Sequence, residues 1–323
     1  MTPQIRPCDS ADQLRRYIDT YWRRGHVLAH DDAMFRFTYG TPWVDRAVFP
    51  HGISVLGLYE GPRLVGFLGA IVAPYPRPQS YWLALWHVLP ELKGGGQGGR
   101  LLARMQALAE AARGWIGTFG AGPEALPVYL KRGYAVRAAR RWLYAPERGE
   151  NVSEPTGASE CAAAAPAADL HSTEALPGAR WLEYRYERHP VFRYDLRPGG
   201  IFRTEENAWG RVTHACWLAE EWQASVRAVW EAESRTAADA GRRYILDAWA
   251  FDRPGAGWVL APEDLPSVFH PPEARGNVIY ASGRPFLPTR IHKGDCDQDR
   301  PNAGEPAAAD AVHTNAERVS APA

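Results

Sequence analysis

A glycine-rich run is the stretch of this chain whose residue types and spacing most directly imply chemistry. Lys93-Gly94-Gly95-Gly96-Gln97-Gly98-Gly99-Arg100 follows the apolar run Trp82–Leu89 and Pro90. It opens a helical pattern from Arg100 to Arg113, with Leu101, Leu102, Met105, Leu108 and Ala109 on one stripe. In a strand, glycine loop and helix, backbone N–H groups at the helix N-terminus grip phosphate. Residues without side chains let the backbone approach an anion, and the helix dipole adds partial positive charge. Lys93 and Arg100 would place full charges at either end. The competing reading is a turn without a ligand.

Two common phosphate loops do not fit. The Walker pattern needs Lys-Ser/Thr directly after its last glycine, and Gly99 is followed by Arg100-Leu101. The dinucleotide fingerprint needs an acidic residue about 20 positions on; Glu110 is too close and lies within the helical pattern.

Three further groups carry chemistry. His87 stands on the strand before the loop and titrates in a range useful to a general base. Because strands alternate, it faces either a cleft or the core. Tyr129 lies in Ala125-Leu-Pro-Val-Tyr-Leu-Lys-Arg-Gly-Tyr134. Far downstream, Asp295, Asp297 and Asp299 alternate within Asp295-Cys-Asp-Gln-Asp-Arg-Pro-Asn302. A calcium loop would need Gly at its sixth place and Glu at its twelfth, where Arg300 and Pro306 stand, so no EF-hand is expected. Three carboxylates this close repel one another unless cations or hydrogen bonds offset them. Lys293 and Arg300 would do so in a structural loop; alternatively the group binds the hydroxyls or amine of a polar substrate.

The elements that must position these groups are legible in outline. Residues 9–25 read as a helix capped by Asp9 or Ser10, with Leu14, Tyr17, Ile18 and Trp22 on one face. Residues 30–50 are an aromatic-rich loop or short helix. Ile53–Tyr59 and Arg63–Val72 form a hairpin across Glu60-Gly61-Pro62. Ile116–Phe119 is a strand, Glu124–Arg132 a short helix holding Tyr129, and Ala135–Tyr144 a strand closing the sheet. Residues 148–178 are dominated by Ala, Pro, Ser, Glu and Gly and read as a linker. Beyond it, Trp181–Arg188 and Thr236–Arg243 are helix candidates, and Gly200–Arg203, Arg211–Leu218 and Tyr244–Phe251 strand candidates. Ser225–Glu231 is either another strand or the start of the second of these helices. The tail from Ala303 has a disordered composition.

The chain has 323 residues, 46% hydrophobic and 23% charged, enough for two cores. Its 37 basic and 37 acidic side chains balance, so no global field favours nucleic acid or an anionic membrane as partner. No apolar run reaches spanning length and the N-terminus lacks an apolar signal core, which makes a cytoplasmic location the expectation. Cys8, Cys161, Cys216 and Cys296 have no paired spacing, so neither a metal site nor a disulfide framework is expected. The 13 tryptophans and 14 tyrosines suit a ring-lined cleft as well as plain core packing.

The glycine loop and the Tyr129 segment together resemble the GNAT superfamily of acyl-CoA N-acyltransferases, over roughly residues 1–147. The family's Arg/Gln-x-x-Gly-x-Gly/Ala loop falls on Lys93, Gly96 and Gly98, with Lys in place of Arg or Gln. Its later Leu-Tyr-x-x-x-Gly-Phe signature falls on Val128–Tyr134. Gly122 stands where the family often has an Asn that contacts pantetheine. The segment Asp295–Asn302 resembles bacterial two-domain N-acyltransferases of nucleotide-linked amino sugars used for surface polysaccharides.

The resemblance implies an α/β fold: a GNAT domain with a central mixed, mostly antiparallel sheet flanked by helices, then a second, degenerate GNAT-like α/β domain. The expected organisation is an acyl-CoA-binding domain at 1–147, a linker at 148–178, an acceptor-binding domain at 179–302 and a tail at 303–323. Acetyl-CoA or another acyl-CoA is the implied cosubstrate, held by Val88, Leu89 and the loop Lys93–Arg100. Tyr129 is implied as the acid that protonates the CoA sulfur. The base stays unassigned among His87, the three aspartates and water. Asp295, Asp297, Asp299, Arg300 and Asn302, together with Trp86, are the expected acceptor contacts. Alternatives are a small-molecule or protein amine as acceptor, or a non-catalytic CoA-binding protein. A homodimer is the prior for assembly.

Overall fold

Ser10 opens the first helix: its Oγ accepts the Gln13 N–H at 3.1 Å. The computed structural model describes residues 2–74, 79–119, 125–138, 140–147, 178–207, 210–219, 221–250, 253–262 and 277–281. Gly122, all but the last residue of the expected linker, the acidic segment Asp295–Asn302 and the tail lie outside the described residues. Strand β1 (Gln4–Pro7) precedes α1 (Ala11–Tyr17), which runs into a π-helical turn at Ile18–Trp22. The aromatic-rich segment that follows contains two short helices, α2 (Val27–His30) and α3 (Asp32–Tyr39). The Asp31 carboxylate caps α3 by accepting the Met34 N–H.

Strands β2 (Val55–Glu60), β3 (Arg63–Ala73) and β4 (Ser80–Val88) follow, then a 3₁₀ turn at Pro90–Leu92 and helix α4 (Gln97–Ala111). β2 and β3 are buried at nearly every position because helices cover both faces of the sheet. That is why they read as near-continuous apolar runs rather than alternating ones. Strand β5 (Ile116–Phe119), helix α5 (Leu126–Lys131) and strand β6 (Ala135–Ala138) complete the first region, and β7 (Arg140–Tyr144) follows directly.

The later chain forms α6 (Ala179–Leu182) with a π-helical turn at Glu183–Glu187, then β8 (Asp195–Arg197), β9 (Gly200–Asn207) and β10 (Gly210–Leu218). Helix α7 (Gln223–Asp239) absorbs the ambiguous Ser225–Glu231 segment into one continuous helix. Strands β11 (Tyr244–Ala250), β12 (Trp258–Leu260) and β13 (Asn277–Ala281) end the described chain. The architecture is α/β, with two mixed sheets flanked by helices.

The two sheets exchange strands. The first has the order β1-β2-β3-β4-β5-β13-β6, antiparallel except for the parallel β4–β5 pair. Strand β13, from late in the chain, thus lies between β5 and β6. The second has the order β12-β7-β11-β10-β9-β8, with β7 contributed from before the linker. The single closing strand expected at Ala135–Tyr144 is therefore two strands, Ala135–Ala138 and Arg140–Tyr144, in two different sheets.

A polar row fixes β7 in the second sheet. Arg141 Nε donates to Asp247 Oδ2 at 2.7 Å, and the other carboxylate oxygen lies 2.6 Å from His214 Nδ1, all three side chains nearly inaccessible. Trp142, Tyr144, Trp222 and Trp258 pack on the opposite face under α7. Trp82, Trp115, Trp181 and Trp258 are fully buried, so for these rings packing is the role.

Candidate active site

The site begins where two parallel strands part. β4 and β5 pair only at Tyr81–Ile116 and Trp82–Gly117, after which β4 continues to Val88 without β5 beside it. The side of β4 facing β3 stays bonded, with the Leu89 N–H donating to Val65 O at 3.0 Å. By strand alternation the N–H groups of Trp86 and Val88 point the other way, toward the gap. Leu89 is buried with its N–H used, so of the expected strand residues Val88 supplies the donor available to a bound carbonyl.

The gap is a cavity of about 650 Å³. Trp86, His87 and Val88 form its strand side, and Lys93, Gly94, Gly96, Gln97, Gly98 and Gly99 its loop side. Gly96 is the N-cap of α4 with φ +73°, a left-handed conformation suited to glycine, and provides no capping side chain. The first intrahelical bond of the loop is Arg100 N–H to Gly96 O at 3.0 Å. The N–H groups of Gln97, Gly98 and Gly99 precede it and so have no intrahelical acceptor, the arrangement that receives an anion. Gly95 is exposed and outside the lining. Arg100 is also turned from the cavity, donating to Pro3 O at 3.2 Å and to Gln97 Oε1 at 2.6 Å. The Arg132 guanidinium reaches Gly99, where a Cβ would lie 3.5 Å from Nη2.

His87 faces the cavity, half-buried, not the core. Its Nδ1 lies 3.0 Å from the Tyr17 hydroxyl, which in turn donates to Val65 O at 3.2 Å. Burial first, and the charge of Lys93 second, hold the imidazole below the usual histidine range. It is therefore neutral, and able to accept a proton, at neutral pH. Burial pushes the Tyr17 phenol well above its ordinary range, so it stays protonated.

Tyr129 is buried on α5, its ring centroid 5.8 Å from that of Trp86 and 5.1 Å from that of Tyr134. Trp86, on the strand side of the cavity, contacts both Tyr129 and Gly98. The structure thus lines one cavity with Trp86, His87, Val88 and the glycine loop, while Tyr129 is buried against Trp86 and is not among the lining residues. Asp295, Asp297, Asp299, Arg300 and Asn302 lie outside the described residues.

Sequence reasoning missed Trp22, Leu92, Ala125 and Val128 in the lining, and Tyr17 behind His87. Trp22 and Tyr17 appeared as an ordinary apolar stripe; the π-helical turn between them alters that stripe's register. Arg132 was legible as a cation inside the signature, but nothing in the spacing placed it over Gly99.

A strand that leaves its parallel neighbour, a glycine loop at the start of the next helix and a tyrosine beside both define an acyl-CoA-dependent N-acyltransferase domain. Residues 14–134 match the model of the acetyltransferase (GNAT) family, and this part of the chain is a GNAT acetyltransferase domain. Among solved structures, a GCN5-related N-acetyltransferase from Sphaerobacter thermophilus is 14% identical, with 88% of this chain and 97% of that one covered at a TM-score of 0.43. Ard1 from Thermoplasma volcanium is 15% identical over 43% of this chain and 87% of its own, TM-score 0.29. N-acetylglutamate synthase from Neisseria gonorrhoeae, complexed with coenzyme A and N-acetyl-glutamate, is 16% identical over 43% of this chain and 29% of its own, TM-score 0.28. No curated protein matches the chain. Among the described residues there is no cluster with metal-ligand composition and no helix long and apolar enough to cross a membrane.

Proposed function

We propose that the protein transfers an acyl group from acyl-CoA to the amine of a nucleotide-linked amino sugar. The observation that carries the transferase step is the gap beyond Trp82, which brings Val88, His87 and the α4 N-terminus to one cavity. Gln97, Gly98 and Gly99 hold the pyrophosphate of the cosubstrate through their N–H groups, with Lys93 and Arg132 adding charge. The Val88 N–H receives the thioester oxygen as negative charge develops on it. His87 takes the proton of the attacking amine, the C–N bond forms, the C–S bond breaks, and Tyr129 protonates the departing thiolate.

The sugar reading rests on the Asp295–Asn302 segment, whose carboxylates, with Arg300 and Asn302, suit hydroxyls and an amine. A second reading keeps the same transfer step and gives it a small-molecule amine as acceptor.

Thermal denaturation with acetyl-CoA, then with panels of dTDP- and UDP-amino sugars and of simple polyamines, tests both. A ligand that binds only the native state raises the melting temperature. Stabilisation by acetyl-CoA and by one amino sugar supports the first reading, and by a polyamine instead the second. No shift with any CoA ester at saturation overturns the loop assignment.

A further inference from the structure

We infer that Tyr17 is a positioning residue that fixes the tautomer of His87, leaving Nε2 as the atom that accepts the substrate's proton. The inference deepens the proposed function and rests on its use of His87 as base. The Tyr17 hydroxyl has two neighbours, His87 Nδ1 at 3.0 Å and Val65 O at 3.2 Å, and one proton to give. If that proton went to Nδ1, the phenol oxygen and the carbonyl oxygen would face each other at 3.2 Å with no hydrogen between them. If it goes to Val65 O, His87 must donate Nδ1–H to the phenol oxygen, and both contacts become hydrogen bonds. Val65 O already accepts the Leu89 N–H, and a carbonyl oxygen has room for both donors.

The second arrangement therefore holds, and the free lone pair of neutral His87 is on Nε2. It also survives the chemistry. Once Nε2 is protonated, Nδ1–H still donates to Tyr17, now as a charge-assisted bond. The hydroxyl is held where it is by the sequence of α1: Tyr17 is its last residue, at the junction with the π-helical turn, packed against Phe67 at a ring distance of 5.5 Å and Tyr21 at 5.1 Å. The charged and titratable groups bearing on the pair are Lys93 beside His87, and Glu91, Arg63 and Tyr21 around Tyr17.

The test uses the full chain labelled with ¹⁵N-histidine, the His87 signals being assigned by their loss in His87→Gln. Above the titration of His87, the ring should show protonated Nδ1 and unprotonated Nε2, and Tyr17→Phe should shift it toward the opposite tautomer. An Nε2–H tautomer in the unaltered protein, or no change in Tyr17→Phe, overturns the inference. If Tyr17→Phe does not fold, the tautomer of the unaltered protein decides alone.

In turnover, Tyr17→Phe should lower kcat/KM for the amine about tenfold, part of the 10²–10⁴ that a general base supplies. KM for acetyl-CoA should hold, and the acid limb should move to lower pH because the imidazolium loses its acceptor. In the His87→Gln background the same change should cost nothing further. A full rate in His87→Gln would instead sink the base assignment, whatever the tautomer shows.

Discussion

Gly98 lies so close to the indole of Trp86 that a Cβ built on it would sit 3.0 Å from Cζ2. The first turn of α4 and the end of β4 are thus in direct contact, and the N–H groups of Gln97, Gly98 and Gly99 are set relative to the strand that carries Val88 and His87. Two glycines here are needed for different reasons. Gly98 is needed for space, in ordinary helical backbone. Gly96 has nothing within 4 Å of its would-be Cβ, yet its φ of +73° is one that other residues resist.

Alanine at the two positions separates these roles. Gly96→Ala should lower folding stability by about 1 kcal/mol through backbone strain. In Gly98→Ala, improved helix propensity offsets the crowding of Trp86, so stability should change little. The displaced loop should nevertheless weaken acetyl-CoA binding about tenfold, or roughly 1.4 kcal/mol. Denaturation curves and calorimetric titration of both variants check this; equal loss of affinity with no loss of stability would contradict it.

Tyr129→Phe keeps the ring between Trp86 and Tyr134 while removing the hydroxyl. If the phenol protonates the leaving thiolate, kcat should fall on the order of 100-fold while acetyl-CoA affinity holds. Loss of affinity in step with kcat would recast Tyr129 as a packing residue. Unchanged kcat would remove the acid role.

Much of the loop side of the cavity was legible because local chemistry dictates it. Gly96 marks a backbone that must turn and Gly98 one that packs closely against Trp86, and Trp82–Leu89 is apolar because both faces of β4 are covered. His87 was not decidable from alternation. Whether its side chain meets a cleft or the core depends on where β5 ends its pairing, a non-local fact. Tyr17 was hidden for a similar reason, since its partner is 70 positions away in sequence. The strand exchange left least trace. Arg140–Tyr144 reads as a continuation of Ala135–Ala138, and what draws it into the second sheet is its distant pairing with β11 and β12 and the Arg141 bond to Asp247.

The pH dependence follows from the direction of the His87 shift. Burial and Lys93 both disfavour the imidazolium, so the base form persists below the ordinary histidine value of about 6.5. The acid limb of kcat/KM should therefore lie below that value. Replacing Lys93 with Met removes one of the two causes and should move the limb upward, whatever it does to cosubstrate affinity. A limb that stays in place in Lys93→Met, or one above 6.5 in the unaltered protein, would mean that another group is the base.

The acyltransferase domain needs more of the chain to fold than its family match spans. β6 joins the first sheet through β13, with Val278 opposite both Phe119 and Arg137, and Ile279 opposite both Thr118 and Val136. A chain ending at residue 147 would lack β13, so β5 would present an unpaired edge and β6 would have no neighbour. It would also carry β7 without the partners that bury Trp142 and satisfy Arg141. Exposed edges and an orphaned apolar strand favour association with other chains. The fragment 1–147 should therefore aggregate or melt without a cooperative transition, although it contains the whole family match. A fragment in which residues 277–281 are rejoined through a flexible linker should recover order in the first sheet without the rest of the second sheet. Circular dichroism and scanning calorimetry on the two fragments decide the matter. A cooperative, CoA-binding fragment 1–147 would show that β13 is dispensable to the first sheet.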